Sequence, residues 1–319
     1  MTKRTRYFMA GSAAVLAAGL CTGLAAYYAG GFQAVSAAPV ANELRYVPAD
    51  AAVVAYADVR SIMDSDLRQR LKAAIPMHEQ GQAEFQAQTG IDIEKDIDYI
   101  VAAASGVGGN PDGLIVARGR FNDTQLESLA LEHGGQVEDY KGKRLINSPA
   151  EEGHQMALAF LESGLVAIGT KATVQRAIDA QMSSHSITSN SQMMDLVGDI
   201  GANSNAWAVG RFDTIAQQAQ LPAEIASKMP PITWFAASGH INGGISGTLR
   251  AEATDDASAE LLRRQVSGAL AFGEMVSKSD PKVAAMINSL QLSGTGKTVS
   301  ITFSVPAEVL ALIPQQIAK

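Results

Sequence analysis

Four short stretches of this chain recur later in it, in the same order. Ala103-Ala104-Ser105-Gly106 follows an apolar run at residues 99–102, and Ala236-Ala237-Ser238-Gly239 follows one at 232–235, an offset of 133. Residues 118–123 (RGRFND) align with 250–255 (RAEATD) at an offset of 132, and residues 170–178 (TKATVQRAI) with 305–313 (VPAEVLALI) at 135. The stretch ending at Asp58 (AAVVAYAD) aligns with the one ending at Asp213 (AWAVGRFD) at 155. Each match is weak alone. Four in one order, at similar offsets, point to a duplicated module, and a duplication sets the plan of the whole fold. Asp58 to Ala103 spans 45 residues and Asp213 to Ala236 spans 23, so the first copy carries 22 extra residues there. They include the polar, helix-like stretch 77–88, after which Thr89-Gly90 turns the chain.

Each copy reads as strand, helix, strand, strand, helix, strand, strand, helix. Residues 51–57 are apolar and β-compatible, and Asp58 is placed to cap the helix that follows. Leu126, Leu129 and Ala130 recur at i, i+3, i+4, with Asn122 and Gln125 in a capping-box pattern before them. The counterpart helix starts at Thr254, with Asp255 and Asp256 in its first turn and Arg263 and Arg264 further along, an order that suits the helix dipole. Val174, Ala177 and Ile178 share a face, as do Val309, Leu312 and Ile313, with Pro306 at a first helical position. Residues 299–303 alternate like a strand with one buried face, and Val166, Ile168, Ile301 and Phe303 are expected at matching buried positions. Turn-like links at 140–145 and 293–297 favour antiparallel pairing. The expected class is α+β: an N-terminal transmembrane helix, then two repeated antiparallel-sheet modules with helices on one face, as two sheets or one long one. The modules fall at 44–183 and 206–319. Residues 184–205, rich in Ser and Asn, join them, and their middle (MMDLVGDIG) has the look of a short helix.

The N-terminus bears on location. Lys3, Arg4 and Arg6, within the basic flank 1–6, precede a charge-free run at 7–32. A signal-peptide core is ~7–15 residues and a spanning helix ~20. This run has 26, which favours a retained signal anchor, while Val35-Ser36-Ala37 is the small-residue site of the cleaved alternative. Either way the basic flank stays cytoplasmic and the bulk of the chain crosses. The expected location is the bacterial cytoplasmic membrane, single-pass, with the bulk on the periplasmic side. Gly19 and Gly23 form a small-xxx-small pair, the helix-packing candidates of this segment, and Tyr27 and Tyr28 suit its interface. Residues 33–43 read as a tether. Cys21 is the only cysteine and has Leu20 before it, which does not suit lipid attachment, so the exported part folds without disulfides.

All 32 acidic residues and 22 of the 25 basic ones lie beyond the run, a formal charge of −10 (22 − 32). Nucleic acid is therefore a poor partner. Catalytic signatures are absent at sequence level. Gly294-Thr295-Gly296-Lys297-Thr298 resembles the end of a phosphate loop, but Gln291 stands where that loop needs Gly and a strand pattern follows, so it reads as a hairpin turn. Residues 106–111 lack the dinucleotide spacing and run into the turn signature Pro111-Asp112-Gly113. His78, His133, His154, His185 and His240 are too far apart in sequence for a metal motif. The nearest serine elbow, Gly244-Ile245-Ser246-Gly247-Thr248, fails at Thr248 and reads as a strand with close backbone packing. The acidic cluster 92–98 (DIEKDID) reads as a short solvated helix. No catalytic, cofactor-binding or metal-binding residues are assigned, and no cofactor is expected.

The opening Val47-Pro48-Ala49-Asp50-Ala51 before an apolar strand, with Thr89-Gly90-Ile91-Asp92 and Asp96-Ile97-Asp98 before the next, resembles a group of uncharacterised bacterial envelope proteins. These carry an N-terminal membrane segment and a duplicated α+β ectodomain. The resemblance covers residues 44–180 and implies no activity. The expected function is that of a membrane-anchored, non-enzymatic extracytoplasmic protein, a protein-interaction or accessory subunit of a membrane complex. Its expected partners are the bilayer and other membrane or envelope proteins. The alternative is an extracytoplasmic small-molecule binder or hydrolase using a cleft between the modules.

Overall fold

A computed structural model describes residues 40–69, 79–105, 113–149, 155–201, 204–212, 230–277 and 281–306. The expected anchor at 7–32 with Gly19 and Gly23, the tether up to residue 39, the glycine-rich stretch at 106–111, His78, His154 and the expected last helix lie outside these residues. Among the described residues no helix is long and apolar enough to cross a membrane.

The chain enters through helix α1 (Val40–Glu43) and a 3-10 turn (Leu44–Tyr46), then β1 (Val53–Ala57), α2 (Val59–Met63), α3 (Glu79–Thr89) and α4 (Ile93–Asp96). Strands β2 (Ile97–Ala104) and β3 (Gly113–Gly119) precede α5 (Asp123–Glu132), followed by β4 (Gln136–Tyr140), β5 (Lys143–Asn147), β6 (Met156–Glu162), β7 (Leu165–Thr170) and α6 (Lys171–Ser183). A second 3-10 turn (Ile187–Ser189) and α7 (Ser191–Gly201) lead to β8 (Ala206–Arg211), β9 (Ile232–Ile241) and β10 (Gly244–Ala253). Helices α8 (Asp256–Ser277) and α9 (Pro281–Asn288) and strands β11 (Gln291–Ser293) and β12 (Thr298–Pro306) follow. The fold is mixed α+β around one large antiparallel sheet.

That sheet holds twelve strands in the order β11-β12-β10-β9-β8-β1-β2-β3-β7-β6-β5-β4. Its centre is the antiparallel pair β1–β8, in register at Val54↔Val209. Outward from this pair the order is β1-β2-β3-β7-β6-β5-β4 on one side and β8-β9-β10-β12-β11 on the other. Val54 pairs with Ala103, and Val209 with Ala236. Further out, Ala117 pairs with Val166 and Leu249 with Ile301, while Ile115 pairs with Ile168 and Gly247 with Phe303. Val166 is buried; Ile168, Ile301 and Phe303 are half-buried.

Helices cover both faces of the sheet, not one. Val54, Tyr56, Val101, Val116, Ala167 and Val209 pack with α6 and α7 residues on the first face. Ala57, Ile100, Ala117, Val166 and Ile245 pack with α2 and with Met286 of α9 on the second. The cause is visible in β1: VVAYA is apolar at every position and buried throughout, so both of its faces need cover. Within the expected linker at 184–205, the stretch with the look of a short helix is α7. Met193, Leu196 and Ile200 of α7 are at most 8% exposed, and their i, i+3, i+7 spacing makes an apolar stripe that the surrounding Ser and Asn conceal in composition.

Local chemistry explains the element ends. Asp58 caps α2 through the Ser61 N–H (2.8 Å), and Asn122 caps α5 through that of Gln125 (3.1 Å). Helix α8 starts at Asp256, with Asp255 as its cap accepting from the Ser258 N–H (2.7 Å). Lys141 and Gly142 both have positive φ (53° and 79°), the geometry a two-residue β4–β5 hairpin requires.

Candidate functional site

In the first half of the sheet, the first face is filled. Leu114, Val116, Leu165 and Ala167 lie under α6, whose Val174, Ala177 and Ile178 are fully buried. In the second half, α7 covers Trp207, Val209, Trp234 and Ala236 of β8 and β9, and beyond them that face is polar. Ser246, Thr248 and Arg250 of β10, Ser238 and His240 of β9, and Ser300 and Thr302 of β12 line a groove of about 690 Å³ beside Asp199 and Ile200 of α7. Neighbouring rungs align the side chains. His240 faces Ser246, Ser238 faces Thr248, Thr248 faces Thr302, and Arg250 faces Ser300. Asp199 and Arg250 also border an adjoining hollow of about 400 Å³, which Gln192, Asp195, Glu252 and Lys297 help to line.

Arg250 is the hub. Its Nη1 meets Asp199 Oδ2 at 2.7 Å; its Nε and Nη2 meet Glu252 Oε1 at 2.8 and 2.6 Å. The same Glu252 oxygen accepts from Thr298 Oγ1 (2.9 Å). Burial pulls the guanidinium pKa down, but the hydrogen bonds to Glu252 and Asp199 outweigh it and hold the pKa above the ordinary value. Two carboxylates thus share one guanidinium.

On the same face of the first half, Arg118 of β3 sits in a closed site. It donates to Glu43 Oε1 at 2.5 Å, and Tyr99 OH donates to the same oxygen at 3.1 Å. Glu43 is 1% exposed and its Oε2 has no partner. Tyr46 OH donates to Glu162 Oε1 (2.9 Å), and burial together with that carboxylate pushes its pKa up to about 12. Leu44, Tyr46 and Val47 are at most 1% exposed, and Ile187 N–H donates to Val47 O (2.8 Å). Residues 43–47 therefore form a strap locked onto the sheet, and the last residues of the expected tether, 40–43, are a helical turn ending in a buried carboxylate.

The other residues singled out from sequence play structural parts. The 92–98 cluster is a set of ion pairs: Asp92–Lys95 (2.8 Å), Glu94–Arg68 (2.6 Å), Asp96–Arg120 (3.0 Å) and Asp98–Arg60. The Lys95 hydrogen bond holds the Asp92 carboxyl below its ordinary pKa. Gly294 and Gly296 (φ 104° and 55°) turn the chain between β11 and β12, as a hairpin demands. Ser246 lies in mid-strand, and a Cβ on Gly247 would sit 2.3 Å from Ser238 O. His133 Nδ1 contacts Leu129 O at 2.8 Å at the end of α5, and His240 lies in the groove. Among the described residues no group of His, Cys, Asp and Glu is placed to hold a metal ion. Where the two halves of the sheet meet, β1 is wholly buried and β8 is buried up to Arg211.

The groove escaped the sequence reading although its signal was present. The alternation at 299–303 predicts one buried face, and Ser300 and Thr302, on the other, are hydroxyl positions of the groove.

No protein-family model matches the sequence, and no curated protein does. Solved structures of TP0453 are similar to this chain, one of them at a level that speaks to fold. Crystal form III of TP0453 aligns with a TM-score of 0.50 at 10% identity, over 86% of this chain and 97% of that one. Crystal form IV of TP0453 aligns at 0.48 and 11% identity, over 85% and 95%. Likeness at such identity speaks to fold alone, and it is consistent with the mixed α+β sheet described above.

Proposed function

We propose that this is a single-pass membrane protein of the bacterial envelope, with its bulk outside the cytoplasm, that acts by contact with other membrane or envelope proteins. Residues 7–32 hold it in the bilayer, Gly19 and Gly23 offer a seam to a partner helix, and residues 33–39 are the tether. The ectodomain is two copies of one α+β module joined edge to edge.

The strap carries this reading. N-terminal residues of a domain ordinarily fray unless tied down. Here the first ones are held by Leu44, Tyr46 and Val47 in the core and by the Glu43–Arg118 pair, the arrangement a domain needs when it hangs from a membrane by that end. Duplication is supported by the registers: the sequence offsets 155 and 133 carry Val54↔Ala103 onto Val209↔Ala236, and 132 and 135 carry Ala117↔Val166 onto Leu249↔Ile301. Two features depart: among the described residues β5 and β4 extend the first half with no counterpart beyond β11, and the β2–β3 pairing is shifted. Ala103↔Leu114 and Ala236↔Arg250 differ by four residues, an even slip that leaves every side chain on its face. Contact is supported by α8, on which Leu261, Phe272 and Met275 are 41%, 63% and 59% exposed.

Intact-mass spectrometry of the protein from native membranes tests the anchor. The expected result is a membrane-fraction species that retains residues 7–32. A soluble species beginning near Ala38 overturns it.

A further inference from the structure

We infer that the groove over β9, β10 and β12 is a binding site for a neutral oligosaccharide, an activity that goes beyond membrane contact and stands whether or not the anchor is retained. Ser238, Ser246, Thr248, Ser300 and Thr302 are half-buried on one wall and make no side-chain hydrogen bond among the described residues. Each hydroxyl is both donor and acceptor. They repeat about 4.8 Å apart across strands and about 7 Å apart along them. The result is a rigid grid of two-way hydrogen-bonding groups in a hollow of small-ligand size. At the same rungs of the other half stand Leu114, Val116, Leu165 and Ala167, packed under α6. The second half thus has hydroxyls where the first has core.

The ligand that complements this grid carries closely spaced hydroxyls on a rigid frame, which is the chemistry of a sugar chain. The charged rim fits the same class. Arg250 commits three of its N–H groups to Asp199 and Glu252 and keeps two. Asp199, 58% exposed, binds Arg250 through one oxygen and offers the other. A guanidinium fork and a carboxylate each engage two adjacent sugar hydroxyls. An anion would meet both Asp199 and Glu252 beside the one Arg250. A peptide strand would find β10 already paired on both sides by β9 and β12. An apolar ligand would leave the five hydroxyls without water or partner.

The test titrates the full chain, in a detergent that contains no sugar, with maltotetraose, cellotetraose and tetra-N-acetylchitotetraose by calorimetry. The expected result is saturable binding of at least one at millimolar affinity or tighter. Thr248→Val with Thr302→Val keeps the β-branched shape, removes two hydroxyls and should weaken that binding roughly tenfold. Ser300→Ala, the milder change, should weaken it measurably and keeps the test readable if the double variant is unstable. Absence of binding for all three sugars, or binding unchanged in the variants that fold, overturns the inference and leaves a solvated sheet face.

Discussion

Asp58 meets two opposed demands. Its carboxylate caps α2, yet burial raises its pKa above the ordinary value against the lowering effect of the Ser61 N–H. A carboxyl raised in the folded state binds its proton more readily there than in the unfolded chain. It therefore favours the fold as pH falls and detracts from it as pH rises through the folded value. Asp58→Asn keeps the capping oxygen and sheds the charge, so its Tm at pH 7 should equal or exceed that of the wild type. Asp58→Ala loses the cap and should cost about 1 kcal/mol. Calorimetric Tm values across pH 4–8 check both. The strap gives a larger effect. Arg118→Leu leaves Glu43 buried without its cation and should cost about 3–5 kcal/mol in urea unfolding, with Glu43→Gln in the same chain restoring part of the loss. Caps such as Asp58 and Asn122 were legible because a cap and its helix are local. The Glu43–Arg118 pair was not, because its members lie 75 residues apart and meet only once the sheet exists.

Among the elements, the β9–β10 pair leaves no room for a methyl at Gly247. Gly247→Ala would drive a Cβ to 2.3 Å from Ser238 O of the neighbouring strand. That clash cannot be relieved without parting the strands, and a loss of more than about 2 kcal/mol is expected in thermal or urea unfolding. Lys297→Ala, in an exposed turn, should leave stability within about 0.5 kcal/mol of the wild type. The hairpin at 294–298 was readable because its glycines and the alternating strand after them are adjacent in sequence. Helix α7 was half-readable: MMDLVGDIG looks helical, but that its stripe seals the first face over β8 and β9 follows from the sheet order. Helices lie on both faces, not the expected one, because the unbroken apolar run of β1 calls for cover on both sides.

At the scale of the molecule, everything hangs on the β1–β8 junction. If the two halves are copies of one module, they are not two independent domains, since each presents to the other a strand buried along nearly its whole length. Residues 40–201 and 204–319 produced separately should expose those edges and associate or aggregate, whereas the whole chain remains discrete in size-exclusion chromatography. The four short matches left two sheets or one long one open, because sequence similarity reports no edge pairing, and the β1–β8 pair decides for one. The central claim, that this is an anchored protein working by contact, is tested most directly by purification from native membranes in mild detergent, wild type beside Gly23→Ile. The account predicts a membrane protein that co-purifies in fixed ratio with the wild type and is lost from Gly23→Ile, whose ectodomain remains folded. A full-length wild-type protein that emerges without a partner, or a partner retained equally by Gly23→Ile, would contradict it.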